Sequence, residues 1–434
     1  MFTPHALVSH DRNKRGLAIG TIFSWQKKTI QGITFLRLYG LFLLKSQHPP
    51  LSAILFIMAL SSSQDSQQQE RNELIRDRFY RTISYLRLSI TDRCNLRCLY
   101  CMPPSSIIQH AELLSYEEML RVVGIAVGMG MNKLRLTGGE PLVRRGIMDF
   151  IRNLTEIKGL DEIRLTTNGV LLNDKAAELR RIGIRNLNIS LDSMQRDKFL
   201  KITGGDFFDQ VWQSIQTACD LGFNVKINVV AMKGINDDEF IDFAKLALQR
   251  PVQVRFIEFM PIGNKENWDK SRFISAGELQ TLISTLGTLE PAGHGRPSVA
   301  GTMDGTEATV GHGRPSVAGS TSSAPRLEGP ARVYRLTTPD GQTGKVGFIS
   351  PISHHFCDQC NRLRLTSEGR LRACLLHNHE TDLKALLRQG GTDSEIQEAI
   401  RETILNKPKG HTMQNDQTAS GLTHCVGQMS QIGG

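Results

Sequence analysis

Residues 85–101 read Tyr-Leu-Arg-Leu-Ser-Ile-Thr-Asp-Arg-Cys-Asn-Leu-Arg-Cys-Leu-Tyr-Cys. Tyr85–Ile90 has the composition and alternation of a strand. The loop that follows carries Cys94-x3-Cys98-x2-Cys101. Three thiolates on so short a loop can hold three irons of a [4Fe–4S] cube and leave the fourth iron open. A structural zinc knuckle would normally bring a fourth Cys or His. His110, the nearest, lies nine residues beyond Cys101.

Outward from this stretch, short apolar runs alternate with helical patterns. Further strands are predicted at Lys133–Thr137, Glu162–Thr166, Arg185–Ser190, Asn224–Val230 and Val252–Glu258. Helices are predicted at Tyr116–Gly128, Ile147–Ile157, Asp174–Ile182, Phe208–Leu221 and Asp237–Leu248. Cys219 falls on the apolar face of the fourth and reads as a core thiol. Six strands joined by crossover helices imply a parallel sheet. Eight such units would close a TIM barrel, so six predict an open, partial (β/α)6 barrel. Gly138-Gly139-Glu140, Thr166-Thr167-Asn168-Gly169, Ser190-Leu191-Asp192 and Glu258-Phe259-Met260-Pro261 each follow a strand. They therefore gather with the cysteines on the carboxyl edge, where parallel barrels place active sites.

A second cysteine set, Cys357-x2-Cys360-x13-Cys374, brackets the strand-like run Asn361–Thr366. Alternation puts Arg362 and Arg364 on one face, a pairing that suits a polyphosphate. His354 or His355 as a fourth ligand would make a closed zinc site instead. No GxxxxGK[ST] motif occurs, so phosphate would be held by side chains rather than a backbone cradle.

The CxxxCxxC loop after the first strand, followed in order by Gly138-Gly139-Glu140, Ser190 and Met260, resembles the radical S-adenosylmethionine (radical SAM) superfamily. CDQCNRLRLTSEGRLRACL at 357–375 closely resembles the second-cluster motif of one of its families, the GTP 3′,8-cyclases. Residues 85–94, Lys226–Val230, Lys233–Asn236 and the terminal Gly433-Gly434 match the same family. The resemblance implies a radical SAM partial barrel at 79–291 and a C-terminal α+β region at 330–434 carrying a second cluster. It implies two [4Fe–4S] clusters, on Cys94, Cys98 and Cys101 and on Cys357, Cys360 and Cys374. Tyr100, Gly138, Gly139, Glu140, Ser190 and Met260 would contact SAM. Arg87, Arg135, Thr166, Lys226, Arg362 and Arg364 would bind GTP, with Thr167 an alternative to Thr166. The Gly433-Gly434 tail would reach the active site. A 5′-deoxyadenosyl radical would take the 3′ hydrogen of GTP, and closure onto C8 would yield 3′,8-cyclo-7,8-dihydro-GTP, the first step of molybdenum cofactor synthesis. Implied partners are an electron donor, a downstream cyclic pyranopterin monophosphate synthase and a second copy of the chain. A peptide maturase of the same superfamily and a zinc-binding module are the rival readings.

The chain has 434 residues and a formal net charge of +9. Residues 1–60 hold seven Lys/Arg against one acid, Asp11, so the basic balance belongs mainly to this leader and argues weakly for nucleic-acid binding. A basic, acid-poor leader is the chemistry of a mitochondrial presequence and points to the matrix. The alternative is a cytoplasmic protein with Met58 as its start. No leader segment has the eighteen or so apolar residues of a membrane span. Residues 61–78 form a polar joint, and the fold is expected to begin near Phe79. Residues 292–329 are Gly-, Ser- and Pro-rich and repeat GHGRPSVAG at Gly293–Gly301 and Gly311–Gly319, which reads as a duplicated flexible insertion. Cys425 reads as a free thiol.

Overall fold

The computed structural model describes residues 76–101, 112–262, 269–292 and 327–411. The leader, most of the polar joint, the repeats, Cys425 and Gly433-Gly434 lie outside the described residues.

Strands β1 (Tyr85–Ser89), β2 (Lys133–Thr137), β3 (Glu162–Thr167), β4 (Asn186–Ser190), β5 (Asn224–Ala231) and β6 (Val252–Glu258) are parallel neighbours in chain order. Helices α1 (Tyr116–Gly128), α2 (Ile147–Thr155), α3 (Asn173–Arg181), α4 (Arg196–Thr203), α5 (Phe208–Asp220) and α6 (Phe240–Gln249) connect them. This is the expected (β/α)6 unit, with α4 as an addition between β4 and α5. Then follow α7 (Ala276–Ile283), β7 (Thr288–Pro291), β8 (Leu327–Glu328), β9 (Ala331–Thr337), β10 (Thr343–Ile349), β11 (Arg362–Leu365), β12 (Arg370–Arg372), β13 (Thr381–Asp382), α8 (Leu383–Arg388) and α9 (Asp393–Leu405).

The C-terminal strands extend the barrel sheet at both edges. β11 pairs in parallel with β1, and β10 in parallel with β6. The path runs β13-β12-β11-β1-β2-β3-β4-β5-β6-β10-β9-β7. The α+β region expected after the insertion thus shares one sheet with the barrel.

Alternation within the strands explains both faces. Leu86, Leu88, Leu134, Leu136, Leu165, Ile189, Ile227 and Phe256 are buried in one cluster with helix residues such as Val122, Phe150, Leu179, Ile215 and Phe243. Each such side chain contributes about 1.5–3 kcal/mol on leaving water. The intervening residues are polar. Arg87 stands opposite Arg135, Asn188 opposite Lys226, and Asn228 opposite Arg255. Parallel sheets are usually apolar on both faces, so a polar inner face marks a cavity rather than a packed barrel centre. Helix starts are fixed locally: Ser115 with Glu118, Ser275 with Glu278 and Thr392 with Glu395 form reciprocal caps at α1, α7 and α9. Among the described residues no helix is long and apolar enough to cross a membrane.

The described structure begins at Arg76, slightly before Phe79. Arg76 bridges to Thr82, and the Asp77 carboxylate accepts from the backbone N–H groups of Phe79 and Arg81. Between them Tyr80 sits at φ 61°, with its side chain 85% exposed. The left-handed region costs an L-residue about 1–2 kcal/mol, which glycine avoids at the expense of chain entropy. Tyr80→Gly should therefore stabilise the protein by about 0.5–1 kcal/mol. Thermal unfolding should show a raised midpoint for Tyr80→Gly and none for Tyr80→Ala. Equal behaviour of the two variants would remove the backbone explanation.

Candidate active site

A cavity of about 240 Å³ opens on the polar face of the sheet. Cys94, Cys98 and Cys101 line it from the loop after β1. That loop is anchored by α4: Arg97 N–H donates to Thr203 O at 2.7 Å and Leu99 N–H to Ile202 O at 3.0 Å. Leu99 and Tyr100 pack on Ile202, Met232 and Phe259. The Tyr100 hydroxyl donates to the buried Asp192 carboxylate at 2.6 Å, which also accepts from Val230 N–H at 2.8 Å. Burial pushes the Asp192 carboxyl up to about 6.

The Gly-Gly pair is required by close approach. A Cβ on Gly138 would lie 2.4 Å from Thr91 O, and one on Gly139 would lie 2.3 Å from Arg93 O. Gly139 N–H donates to Thr91 O and Glu140 N–H to Arg93 O, so this turn carries the residues leading into Cys94. Glu140 is fully buried. Its carboxylate accepts from Leu142 N–H, Thr167 Oγ1 and Asn168 N–H at 2.6–3.0 Å. Burial outweighs these bonds and pushes the carboxyl up to about 7. The cavity wall includes Gly138, Gly139, Ser190, Met260 and Tyr100 but not Glu140, which braces the β2 and β3 loops.

The three thiols fit an iron–sulfur cluster. Leu96 N–H and Asn168 Nδ2 donate to Cys94 Sγ at 3.4 and 3.6 Å, as a thiolate requires. Burial, then Asp192 and the two neighbouring sulfurs, push the Cys98 thiol well up, so thiolates here call for a positive partner such as the irons of a cluster. Among the described residues no three His, Cys, Asp or Glu groups converge on a position for a single ion. A cube distributes its thiolates over separate irons and needs no such convergence.

Basic residues fill the next part of the face. Arg364, Arg87, Arg135 and Arg164 stand in register across β11, β1, β2 and β3. Arg135 donates to the Tyr85 hydroxyl and to Thr166 Oγ1, the latter at 3.1 Å. Thr166 thus faces the arginines, whereas Thr167 bonds Glu140. Burial, then Arg364 and Arg135, hold the Arg87 guanidinium well below its usual range. Arg87, Arg135, Thr166 and Arg362 line the cavity. Arg364 is buried beside Arg87, and Lys226 lines a separate cavity of about 590 Å³ at the amino ends of β4–β6.

Cys357 and Cys360 occupy a tight turn before β11, and Cys374 follows β12. Phe356, Arg362 and Leu375 line the main cavity, so this second set borders it. Arg362 Nη2 donates to Cys360 Sγ at 3.6 Å. Burial raises the Cys360 thiol, but Arg362 and Lys407 outweigh it and bring it down to about 6. A thiolate-favouring site with three ligands fits a second cluster as well. His355 stacks edge-on against His411, and His354 Nδ1 lies 3.2 Å from Ser353 Oγ, so neither completes a closed zinc set.

Sequence reasoning missed Tyr85, Arg164, Asn188, Asn228 and Arg255 on this face. Asn188 and Asn228 line the cavity, and their Oδ1 acceptors are buried without a hydrogen-bond donor among the described residues. The signal was available for four of them: Tyr85, Arg164, Asn188 and Asn228 each stand two residues from a selected residue on their own strand.

Comparison with known proteins places the chain. Residues 88–247 match the radical SAM superfamily, and residues 289–413 match Molybdenum Cofactor Synthesis C. A GTP 3′,8-cyclase of Pelotomaculum thermopropionicum is 42% identical over 364 residues, covering 83% of this chain and 100% of the relative. One from Desulforamulus reducens is 44% identical, covering 82% and 99%. The chain belongs to the GTP 3′,8-cyclase family. Its fold also resembles Streptococcus suis SuiB bound to S-adenosylmethionine, with a TM-score of 0.51 at 11% identity over 92% of this chain and 87% of that one.

For this family member, Gly139→Ala should push the β2 turn off the cysteine loop, at a cost of about 1–3 kcal/mol. Anaerobically reconstituted variant should bind less iron than wild type while keeping its far-ultraviolet circular dichroism. Unchanged iron content would mean that the turn does not hold the loop.

Proposed function

We propose that this site converts GTP and SAM to 3′,8-cyclo-7,8-dihydro-GTP, the first step of molybdenum cofactor biosynthesis. The observation that carries the reading is one arginine-rich sheet face running between two three-cysteine loops. The cofactors are two [4Fe–4S] clusters and SAM. When bound, the first cluster and SAM supply a 5′-deoxyadenosyl radical, the species able to take an unactivated hydrogen.

The residues divide the work as follows. Cys94, Cys98 and Cys101 hold the first cluster from the 79–291 segment. Cys357, Cys360 and Cys374 hold the second from the 330–434 segment, with 292–329 as an insertion between them. Tyr100, Gly138, Gly139, Ser190 and Met260 bind SAM, and Glu140 supports that contact by fixing the turn. Arg87, Arg135, Arg362, Arg364 and Lys226 hold the triphosphate, joined by Arg255 on the same face. A triphosphate carries several negative charges, and guanidinium groups match its oxygens in forked pairs. Thr166 orients the nucleotide beside Arg135. Asn188 and Asn228 accept from hydroxyl or N–H groups of the bound ligands. Gly433 and Gly434 complete the catalytic centre from the tail. The walls exclude water, which keeps a carbon radical from side reactions. A downstream cyclic pyranopterin monophosphate synthase, a separate electron donor and a homodimer complete the proposal. The bacterial origin of the relatives favours the cytoplasmic alternative over the mitochondrial matrix, whose support is the leader's composition.

The test is anaerobic incubation of the reconstituted full chain with GTP, SAM and dithionite. The expected products are 5′-deoxyadenosine and the cyclised nucleotide, in a GTP-dependent ratio. 5′-Deoxyadenosine without any nucleotide product would reject GTP as substrate. Cys94→Ser, Cys98→Ser or Cys101→Ser should abolish SAM cleavage. Arg87→Ala should weaken GTP binding about tenfold or more, the loss of a charged hydrogen bond, with iron content unchanged. Equal affinity in isothermal titration would remove Arg87 from the phosphate site.

A further inference from the structure

Lys407 lies just beyond α9 and is 3% exposed. Its Nζ donates to Arg362 O at 2.8 Å and to Ala373 O. These carbonyls stand two residues after Cys360 and one before Cys374, so the ammonium spans the two arms of the second cysteine set. The Cys360 and Cys374 sulfurs are its strongest attractive neighbours.

Two other buried cations nearby provide the contrast. Arg81 donates to Cys357 O and to the carbonyls of Pro408 and Lys409, and Asp77 neutralises it at 2.6 Å. Arg372 has Glu380 at 3.4 Å. Among the described residues Lys407 has carbonyl partners and no carboxylate within ion-pair distance. A buried ammonium without a counter-charge costs several kcal/mol. Thiolate ligands would supply that counter-charge. Cluster potentials respond to nearby charge and to hydrogen bonding around the sulfurs.

We infer that Lys407 is a positioning residue for the second cluster: its fixed positive charge offsets the thiolate ligands of Cys360 and Cys374 and raises that cluster's reduction potential. The inference rests on the reading of Cys357, Cys360 and Cys374 as cluster ligands. Removing the charge makes the added electron less favourable, so the potential falls.

The experiment compares the full-length reconstituted wild type with Lys407→Gln, Lys407→Met and Lys407→Arg. Iron and sulfide are assayed first, then each cluster's midpoint is followed by electron paramagnetic resonance in a redox titration. In Lys407→Gln and Lys407→Met the second cluster's midpoint should move to a more negative value while the first stays put. Lys407→Arg should keep the wild-type midpoint. If the neutral variants instead lose the second cluster's iron, retention by Lys407→Arg supports the charge role. Equal loss in all three variants would overturn it, as would full loading with unshifted midpoints. Wild type binding only one cluster would reject the ligand reading itself, and this inference with it.

Discussion

Four guanidinium groups stand side by side on one buried face, Arg364, Arg87, Arg135 and Arg164 in register across β11, β1, β2 and β3. Adjacent strands lie about 4.8 Å apart, and like unit charges at that spacing repel by roughly 3 kcal/mol at an effective dielectric near 20. Burial and this repulsion lower the Arg87 guanidinium well below its usual range, while burial and the neighbouring Arg362 bring Arg364 down to about 9. Glu162 offsets Arg164 at the end of the row, at 2.8 Å. A polyanion placed over the row converts the repulsion into attraction. On the proposed reading, the nucleotide triphosphate would therefore stabilise this inner face.

The rest of the architecture accommodates that row. Apolar residues on the opposite sheet face hold the helices, so the strands need no apolar filling inside. The inner volume stays open because the parallel strands do not close into a barrel. β10 and β11 cap the two edges instead, and β11 brings both its arginines and the turn holding Cys357 and Cys360 against β1. One pairing, β1 with β11, thus fixes the separation of the cysteine loops and the position of half the arginine row. The length of chain between β7 and β8 is tolerable for the same reason. The pairing lies in the sheet, and the entropy of closing a longer loop grows slowly with length.

Much of this was legible in the chain because the relevant signals are local. Lys133–Thr137, Val252–Glu258 and Tyr116–Gly128 have the bounds predicted from their apolar pattern. The other barrel strands differ by a residue at one end. Helix α4 escaped because Arg196–Thr203 is short and carries only Phe199, Ile202 and Thr203 inward. Edge pairing was not legible either. Arg362–Leu365 alternates as any half-buried strand would, and nothing in its composition says that its partner is Tyr85–Leu88, some 277 residues earlier. Glu140 was chosen for its place in a motif, yet its environment is set by Thr167 and Asn168 from another loop. Arg164 and Arg255 were missed for the converse reason. They stand inside β3 and β6, short of the carboxyl edge, and strand register places them opposite Arg135 and Asn228.

The two cysteine loops also stand in opposite electrostatic surroundings, although their ligand chemistry is the same. Glu140 and Asp192 lie beside Cys94 and Cys98 and raise their thiols further above the value that burial alone gives. Arg362 and Lys407 lie beside Cys360 and lower its thiol despite burial. Negative neighbours oppose adding an electron to a cluster, and positive ones favour it. On the proposed reading, the first loop would hold the more strongly reducing centre, which cleavage of a sulfonium demands. On the same reading, the second would hold the more easily reduced one. The Arg87–Arg135 part of the sheet lies between these two fields; on the proposed reading it would hold an anionic nucleotide between the basic and the acidic loop.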